Sequence, residues 1–414
     1  MNLLPMLERL QLAHVGPADE LDIQLAERLN LLAGDNGLGK SFLLDVAWWA
    51  LTRTWARELI IPHLPPAEPS IESAYHGKGS RTVTFKSQFD RAREKWVVKR
   101  GRPAIPGLVI YAQVDGGFSV WDPARNYWKA DMPDRPQAYL FGAQEVWDGN
   151  SLCEGLLRDW ASWQREQSTA FDLLKRVLLD LSPSLEEPLL PGPLRKVSLD
   201  DPKRHPTLSM PYGQHVPLIH ASAGMRRIVA LAYLLVWTWQ EHLEACRLTG
   251  ESPANEIIFL VDEIEAHLHP QWQRRVLPAL LKVMDTLQSG RGAAVQVLAA
   301  THSPLVLASV EPTFDESRDA IWELKLTKGE VCLEKFGWHR RGDASAWLTS
   351  SVFELNEARS VEAEGALERA RELLRQQKPE RAEVLEVDSL LRAALSDTDG
   401  FWIRWSAYRD QLAS

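Results

Sequence analysis

The sequence predicts an α/β fold around a mixed, largely parallel central sheet, and three segments carry that prediction. Leu29 to Ala33 is a short apolar run that ends in a glycine-rich turn, and helical periodicity follows it. Ile257 to Val261 is wholly apolar and ends in Asp262-Glu263. Val295 to Ala300, apolar but for Gln296, reads as a further strand, ending in Thr301-His302-Ser303-Pro304. Apolar strands of this kind belong inside a sheet covered on both faces.

Composition narrows the functional classes. The chain has 414 residues, 45% hydrophobic and 25% charged, an ordinary globular profile with room for two or three cores. A net charge of −9 rules out a general nucleic-acid adhesive, so any nucleic-acid site has to be a local basic patch. Cys153, Cys246 and Cys332 stand far apart and offer neither a disulfide framework nor zinc-ligand spacing, which suits a reducing compartment. The apolar run Ile228 to Trp237 is too short to span a bilayer. The first ten residues hold Pro5, Glu8 and Arg9 and do not read as a signal peptide. The expectation is a cytoplasmic protein with no membrane partner.

Taken in order, Leu7 to Leu12 and Leu21 to Leu25 alternate as strands, and a helix is expected from Ser41 to about Leu59. Residues 62–69 are a proline-rich loop that cannot continue it. Strands are expected at 81–89, 95–100 and 107–121, the last folded into a hairpin at Asp115-Gly116-Gly117. Residues 151–181 read as helical and 183–217 as irregular. A long helix over 222–248, a strand over 256–262, a helix over 270–288, a strand over 294–300 and a hairpin at Lys328-Gly329 follow. An acidic helical tail begins near residue 357.

The run Gly34-Asp35-Asn36-Gly37-Leu38-Gly39-Lys40-Ser41 fits the phosphate-binding loop in full, between an apolar strand and a helix. Its glycines let backbone N–H groups turn toward a phosphate at a helix N-terminus. Lys40 is placed to reach the β- and γ-phosphates of a nucleoside triphosphate and Ser41 to ligate Mg²⁺. Asp262 comes off its strand toward the same metal, and Glu263 is the expected general base for an attacking water. His302, 39 residues after Glu263, ends a strand where it can contact the γ-phosphate.

With these motifs the chain resembles the ABC-type ATPase heads of SMC, RecF-like and OLD-like proteins. The resemblance covers residues 1–310. It implies an ABC-ATPase head with a mixed central sheet, an antiparallel β subdomain and a helical subdomain. It adds a signature at Ser222-Ala223-Gly224-Met225-Arg226, in which Ser222 and Gly224 complete the nucleotide site of a second subunit. Ala223 stands where a glycine is usual. Glu263-Ile264-Glu265-Ala266-His267-Leu268-His269-Pro270 is similar to the loop that touches the opposite subunit, so His267 and His269 are not expected to hold a metal. The glutamine that senses nucleotide is expected at Gln144, with Gln113 as the alternative. Implied segments are 1–145 with the phosphate loop and β subdomain, 146–250 with the signature, 251–340 completing the core, and 341–414 as a helical tail.

Only 77 residues separate Gln144 from Ser222, which leaves no room for a long coiled coil. Residues 77–102 carry nine basic side chains against two acidic ones, +7 in a −9 chain. This stretch is either a nucleic-acid contact or a solvated hairpin face. With Trp147-Asp148-Gly149, Ile219 to Gly224 and the aromatic residues 401–405, the chain and its tail resemble bacterial antiphage-defence ATPases such as the Septu subunit. Phe401-Trp402-Ile403-Arg404-Trp405 is either a docking surface for a separate effector, such as an HNH-type nuclease, or packing within the tail. Asp397-Thr398-Asp399 has no apolar strand before it, so no nuclease centre is expected in this chain. The implied function is a nucleotide-switched, dimeric ATPase serving as the sensor subunit of a defence complex. The alternatives are a RecF-like repair ATPase and a slow scaffold that holds a toxic effector.

Overall fold

In the computed structural model the described residues are 6–77, 81–98, 107–125, 138–288, 293–353, 355–376 and 379–413. Two compact units divide the chain, Met1–Gly342 and Asp343–Ser414.

The first unit opens with β1 (Leu7–Ala13) and β2 (Glu20–Gln24), passes through β3 (Leu29–Gly34) and α1 (Lys40–Thr52), and returns as β4 (Ser70–Gly77), β5 (Arg81–Asp90) and β6 (Lys95–Val98). These form an antiparallel sheet in the order β2-β1-β4-β5-β6, while β3 leaves it for the central sheet. Next come β7 (Leu108–Ala112), β8 (Phe118–Trp121), β9 (Tyr139–Phe141), α2 (Ala143–Asp148), α3 (Leu156–Glu166) and α4 (Thr169–Asp180). Strands β10 (Leu190–Arg195), β11 (His205–Ser209) and β12 (His215–Pro217) lead into α5 (Ala223–Thr249). The unit is completed by β13 (Glu256–Val261), α6 (Pro270–Gln273), α7 (Val276–Gln288), β14 (Ala294–Ala300), α8 (Pro304–Val310), β15 (Asp319–Thr327) and β16 (Glu330–Lys335).

The central sheet has the order β16-β15-β3-β14-β13-β7-β8-β9. It is parallel from β15 to β7 and antiparallel at both edges. This mixed sheet, with the antiparallel β subdomain and the helices α3, α4, α5 and α7, is the fold class expected. Every residue of β3 is buried, as are the last five of β13, because both faces of the sheet are covered. Helix α1 shares one apolar core with strands of both sheets, through Leu44, Ala47, Trp48 and Leu51 on its side and Leu10, Tyr111 and Leu260 among theirs. Each large side chain buried there contributes roughly 1.5–3 kcal/mol, so the phosphate-loop helix is firmly held.

Three expectations need correction. Helix α1 stops at Thr52 rather than near Leu59. Arg53 turns left-handed at φ 58°, and its guanidinium packs over the Trp49 ring at 4.7 Å. The stretch read as irregular, 183–217, holds a three-stranded antiparallel sheet, which its prolines concealed. The helix expected over 270–288 is broken into α6 and α7, with Arg274 closing α6.

The second unit contains α9 (Ala344–Leu348), α10 (Val361–Arg375), α11 (Arg381–Ala394) and α12 (Phe401–Ala413). Leu367, Ala370, Val387, Leu391 and Trp405 form its core. Trp405 is fully buried and donates its indole N–H to Asp388 at 2.9 Å. Phe401, Trp402 and Tyr408 pack against the same core. The aromatic cluster is therefore largely internal packing, and Ile403 is the exposed apolar residue of that run. Among the described residues no helix is long and apolar enough to cross a membrane.

Candidate nucleotide-binding site

Three of the five parallel strands, β3, β13 and β14, deliver the site's residues to one end of the central sheet. Gly34 closes β3 at φ 126°, and a Cβ there would lie 2.2 Å from the Leu324 carbonyl oxygen, so only glycine fits. Asp35, Asn36 and Gly37 form the exposed crest of the loop, while Leu38 turns inward. Gly39 is the left-handed N-cap of α1. Lys40 is buried and donates from Nζ to the Gly34 and Asp35 carbonyl oxygens, each at 2.7 Å. Burial pushes its ammonium down to about 8, against the pull of Glu263 and Asp35.

Ser41 Oγ donates to Asp262 Oδ1 at 2.9 Å. Asp262 is fully buried at the end of β13 and its pKa is raised, chiefly by that burial. A hydroxyl and a buried carboxylate side by side are the hard oxygen donors that Mg²⁺ takes. Glu263 follows at φ 45°, with its carboxylate 3.6 Å from His302 Nε2. Burial, and Lys40 after it, lowers the His302 pKa, so the ring is neutral near pH 7.

Several neighbours carry no local sequence signal. Arg57 donates to Asp45 at 2.8 and 3.0 Å and to the Tyr111 hydroxyl at 2.9 Å, and it faces Asp262 at 3.4 Å. Glu265 accepts from Thr301 Oγ1 at 2.9 Å and from the His302 N–H, which ties β13's end to β14's. Arg227 donates to the carbonyl oxygens of Val114, Asp262 and Glu263 at 2.7, 3.1 and 3.0 Å. It is a strut from the start of α5 to the turn after β13. Asp45, one helical turn after Ser41, was the one of these that spacing on α1 could have found.

Ser222 is exposed at the N-cap of α5, where its hydroxyl accepts from Met225 N–H at 3.4 Å. Gly224 is buried against the loop after β13: a Cβ on it would meet the His267 carbonyl oxygen at 2.8 Å. The signature and the expected cross-subunit loop thus touch within one chain. Gln144 is exposed on α2 and donates to Asp148. Gln113 is buried one residue beyond Ala112, whose carbonyl accepts from Asp262 N–H at 2.9 Å. Gln113 itself donates to Ser119 at 2.9 Å. Both glutamines line one cavity of about 280 Å³ with Trp147, Arg227 and Leu231.

Of the basic stretch, Lys78, Lys99, Arg100 and Arg102 lie outside the described residues. Lys86 faces Glu72, Arg93 pairs with Asp90, and Arg91 donates to the His63 and Ala67 carbonyl oxygens. Those three therefore already have partners within the chain.

Residues 29–308, more than half of the chain, match the family described as "AAA domain, putative AbiEii toxin, Type IV TA system". The chain is similar to the retron Ec83 probable ATPase of Escherichia coli, 33% identical over 98 residues, which is 24% of this chain and 15% of that one. It is similar to the retron Vc95 probable ATPase of Vibrio cholerae serotype O1 biovar El Tor, 32% identical over 99 residues, 24% of this chain and 17% of that one. The matched stretch spans less than a fifth of either relative. Among solved structures, the SMC head domain from Thermotoga maritima has a TM-score of 0.40 at 13% identity, covering 80% of this chain and 99% of that one. RecF with ATP has a TM-score of 0.38 at 11% identity, covering 80% and 98%.

Proposed function

The chain belongs to that AAA-domain family, and on this premise we propose that it binds and hydrolyses ATP as a nucleotide-switched homodimer. The observation that carries the reading is the meeting of Lys40, Ser41, Asp262, Glu263 and His302 at one end of the sheet. Lys40 holds loop carbonyls that a phosphate would release it from. Ser41 and Asp262 would hold Mg²⁺, which supplies charge neutralisation at the β- and γ-phosphates. Glu263 accepts a proton from the attacking water, and His302, neutral beside it, donates to the γ-phosphate. The exposed hydroxyl of Ser222 is available to the γ-phosphate of a second subunit, so closure would follow ATP binding and opening would follow hydrolysis.

The stretches shared with two retron ATPases support a place as the ATPase component of a multi-part defence system. In that reading the nucleotide state controls a separate effector, with an HNH-type nuclease as one candidate. The assembly is tested by light scattering of the Glu263→Gln variant with and without ATP. ATP should raise the mass toward a dimer, and adding Ser222→Arg should prevent the rise. A mass and a crosslinking pattern insensitive to ATP would remove the switched dimer from the account.

A further inference from the structure

Beyond the nucleotide site, His14 and Asp19 on the β1–β2 turn meet His63 from the proline-rich loop. Their donor atoms all lie within 4.8 Å of one another, the one group of three His, Cys, Asp or Glu side chains among the described residues to do so. Backbone hydrogen bonds build the arrangement. His14 N–H donates to the Asp19 carbonyl at 2.6 Å, and His63 N–H donates to the His14 carbonyl at 3.0 Å. His14 has φ 53°, a conformation that costs free energy for a residue with a Cβ and is held here by those two bonds.

The hydrogen bonding of His63 leaves two acceptors face to face. His63 Nε2 lies 2.8 Å from the Gly16 carbonyl oxygen, an atom that only accepts, so Nε2 carries the hydrogen. In the neutral ring Nδ1 then bears the lone pair, and it faces Asp19 Oδ1 at 3.4 Å. His14 Nδ1 faces the same oxygen at 3.9 Å. A lone pair opposite a carboxylate oxygen is repulsive, and a cation or a bridging water between them relieves it.

We propose that His14, Asp19 and His63 bind a divalent transition-metal ion, zinc by the type of its ligands. Two imidazole nitrogens, one carboxylate oxygen and an open fourth position fit tetrahedral zinc. Bonds of about 2.0–2.1 Å put such donors about 3.3–3.4 Å apart, which the His63–Asp19 pair already meets. Asp19, with 82% of its side chain exposed, is free to shorten its 3.9 Å distance to His14 Nδ1. The Gly16 hydrogen bond is the outer contact that fixes the tautomer of a metal-bound histidine.

The site lies against the phosphate-loop helix. A Cβ on Gly16 would meet the Phe42 ring, and one on Gly39 would meet Pro17 at 2.6 Å. A bound ion would stiffen the turn that touches Gly39 and Phe42. The metal site itself stands whether or not ATP is the substrate.

The test is titration of the tag-free, chelator-stripped full chain with Zn²⁺ and with Co²⁺, without nucleotide. One ion per chain should bind, with the visible absorption bands of tetrahedral cobalt. His63→Gln and Asp19→Asn should each weaken zinc at least about tenfold, the least that losing even an outer-shell partner costs. His339→Ala, at a histidine on the Gly337 carbonyl, should leave affinity unchanged, and circular dichroism shows that each variant is folded. Zinc affinity unchanged in the His63→Gln, Asp19→Asn double variant overturns the proposal. So does a stripped chain that binds neither ion.

Discussion

Asp262 in the central sheet and Asp388 in the C-terminal unit are both carboxylates held largely out of water. Asp388 accepts from Arg392 Nε at 2.7 Å, Trp405 Nε1 at 2.9 Å and Arg409 at 3.3 Å. Burial pushes its pKa up, but the Arg392 and Trp405 hydrogen bonds outweigh that and leave it lowered. Asp262 has Ser41 at 2.9 Å and only a distant edge of Arg57 at 3.4 Å. Its pKa stays raised. One acid is complete as architecture, and the other is left short of positive charge beside a phosphate-binding loop. A buried carboxylate only partly neutralised by Arg57, with the Ser41 hydroxyl beside it, is suited to a divalent cation.

The largest expected effect falls on the incomplete side. Lys40→Ala should reduce ATP turnover by about 10²–10³ or more, the usual loss when one stabilising group is removed, and should abolish tight ATP binding. Phosphate release and equilibrium nucleotide binding measure the two parts.

Thermal unfolding separates the two acids. Asp388→Asn should destabilise the C-terminal unit by about 2 kcal/mol, because it loses hydrogen bonds to charged partners. The same change at Asp262 should alter stability by less than about 1 kcal/mol, since it removes a poorly neutralised buried charge. Equal losses at both positions would erase the contrast. The lowered Asp388 pKa also sets a sign: its contribution is present above the ordinary carboxylate range and is lost as pH falls through the folded value.

A smaller effect follows from Lys40. With its ammonium at about 8 in the free protein, the lysine must take up a proton to hold phosphate above that pH. ATP affinity should be flat below pH 8 and fall about tenfold per pH unit above it, until the ordinary lysine range is reached. Affinity independent of pH between 7 and 10 would show that burial does not lower the Lys40 ammonium in the free protein.

What the sequence disclosed and what it hid divide along a physical line. Gly34 to Ser41, Asp262-Glu263 and His302 were legible because each sits at the end of an apolar strand, and strand ends are written locally. Arg57, Tyr111, Glu265 and Arg227 were not, because their partners are distant in sequence and the contact exists only once the sheet is assembled. Leu190 to Pro217 read as irregular because each of its three short strands, the central β11 included, carries proline. The tail aromatics looked available to a partner because one helix's pattern does not say which helix covers it. Leu391 and Val387 of α11 belong to the core that encloses Trp405.

If Glu263 acts on water after ATP is bound, binding and turnover should separate at this residue. The direct measurement is ATP affinity and single-turnover hydrolysis on the same preparation of Glu263→Gln. Affinity should stay within about threefold of the parent while hydrolysis falls by about 10²–10⁴, the usual contribution of a general base. Hydrolysis at the parental rate with unchanged affinity would contradict the assignment.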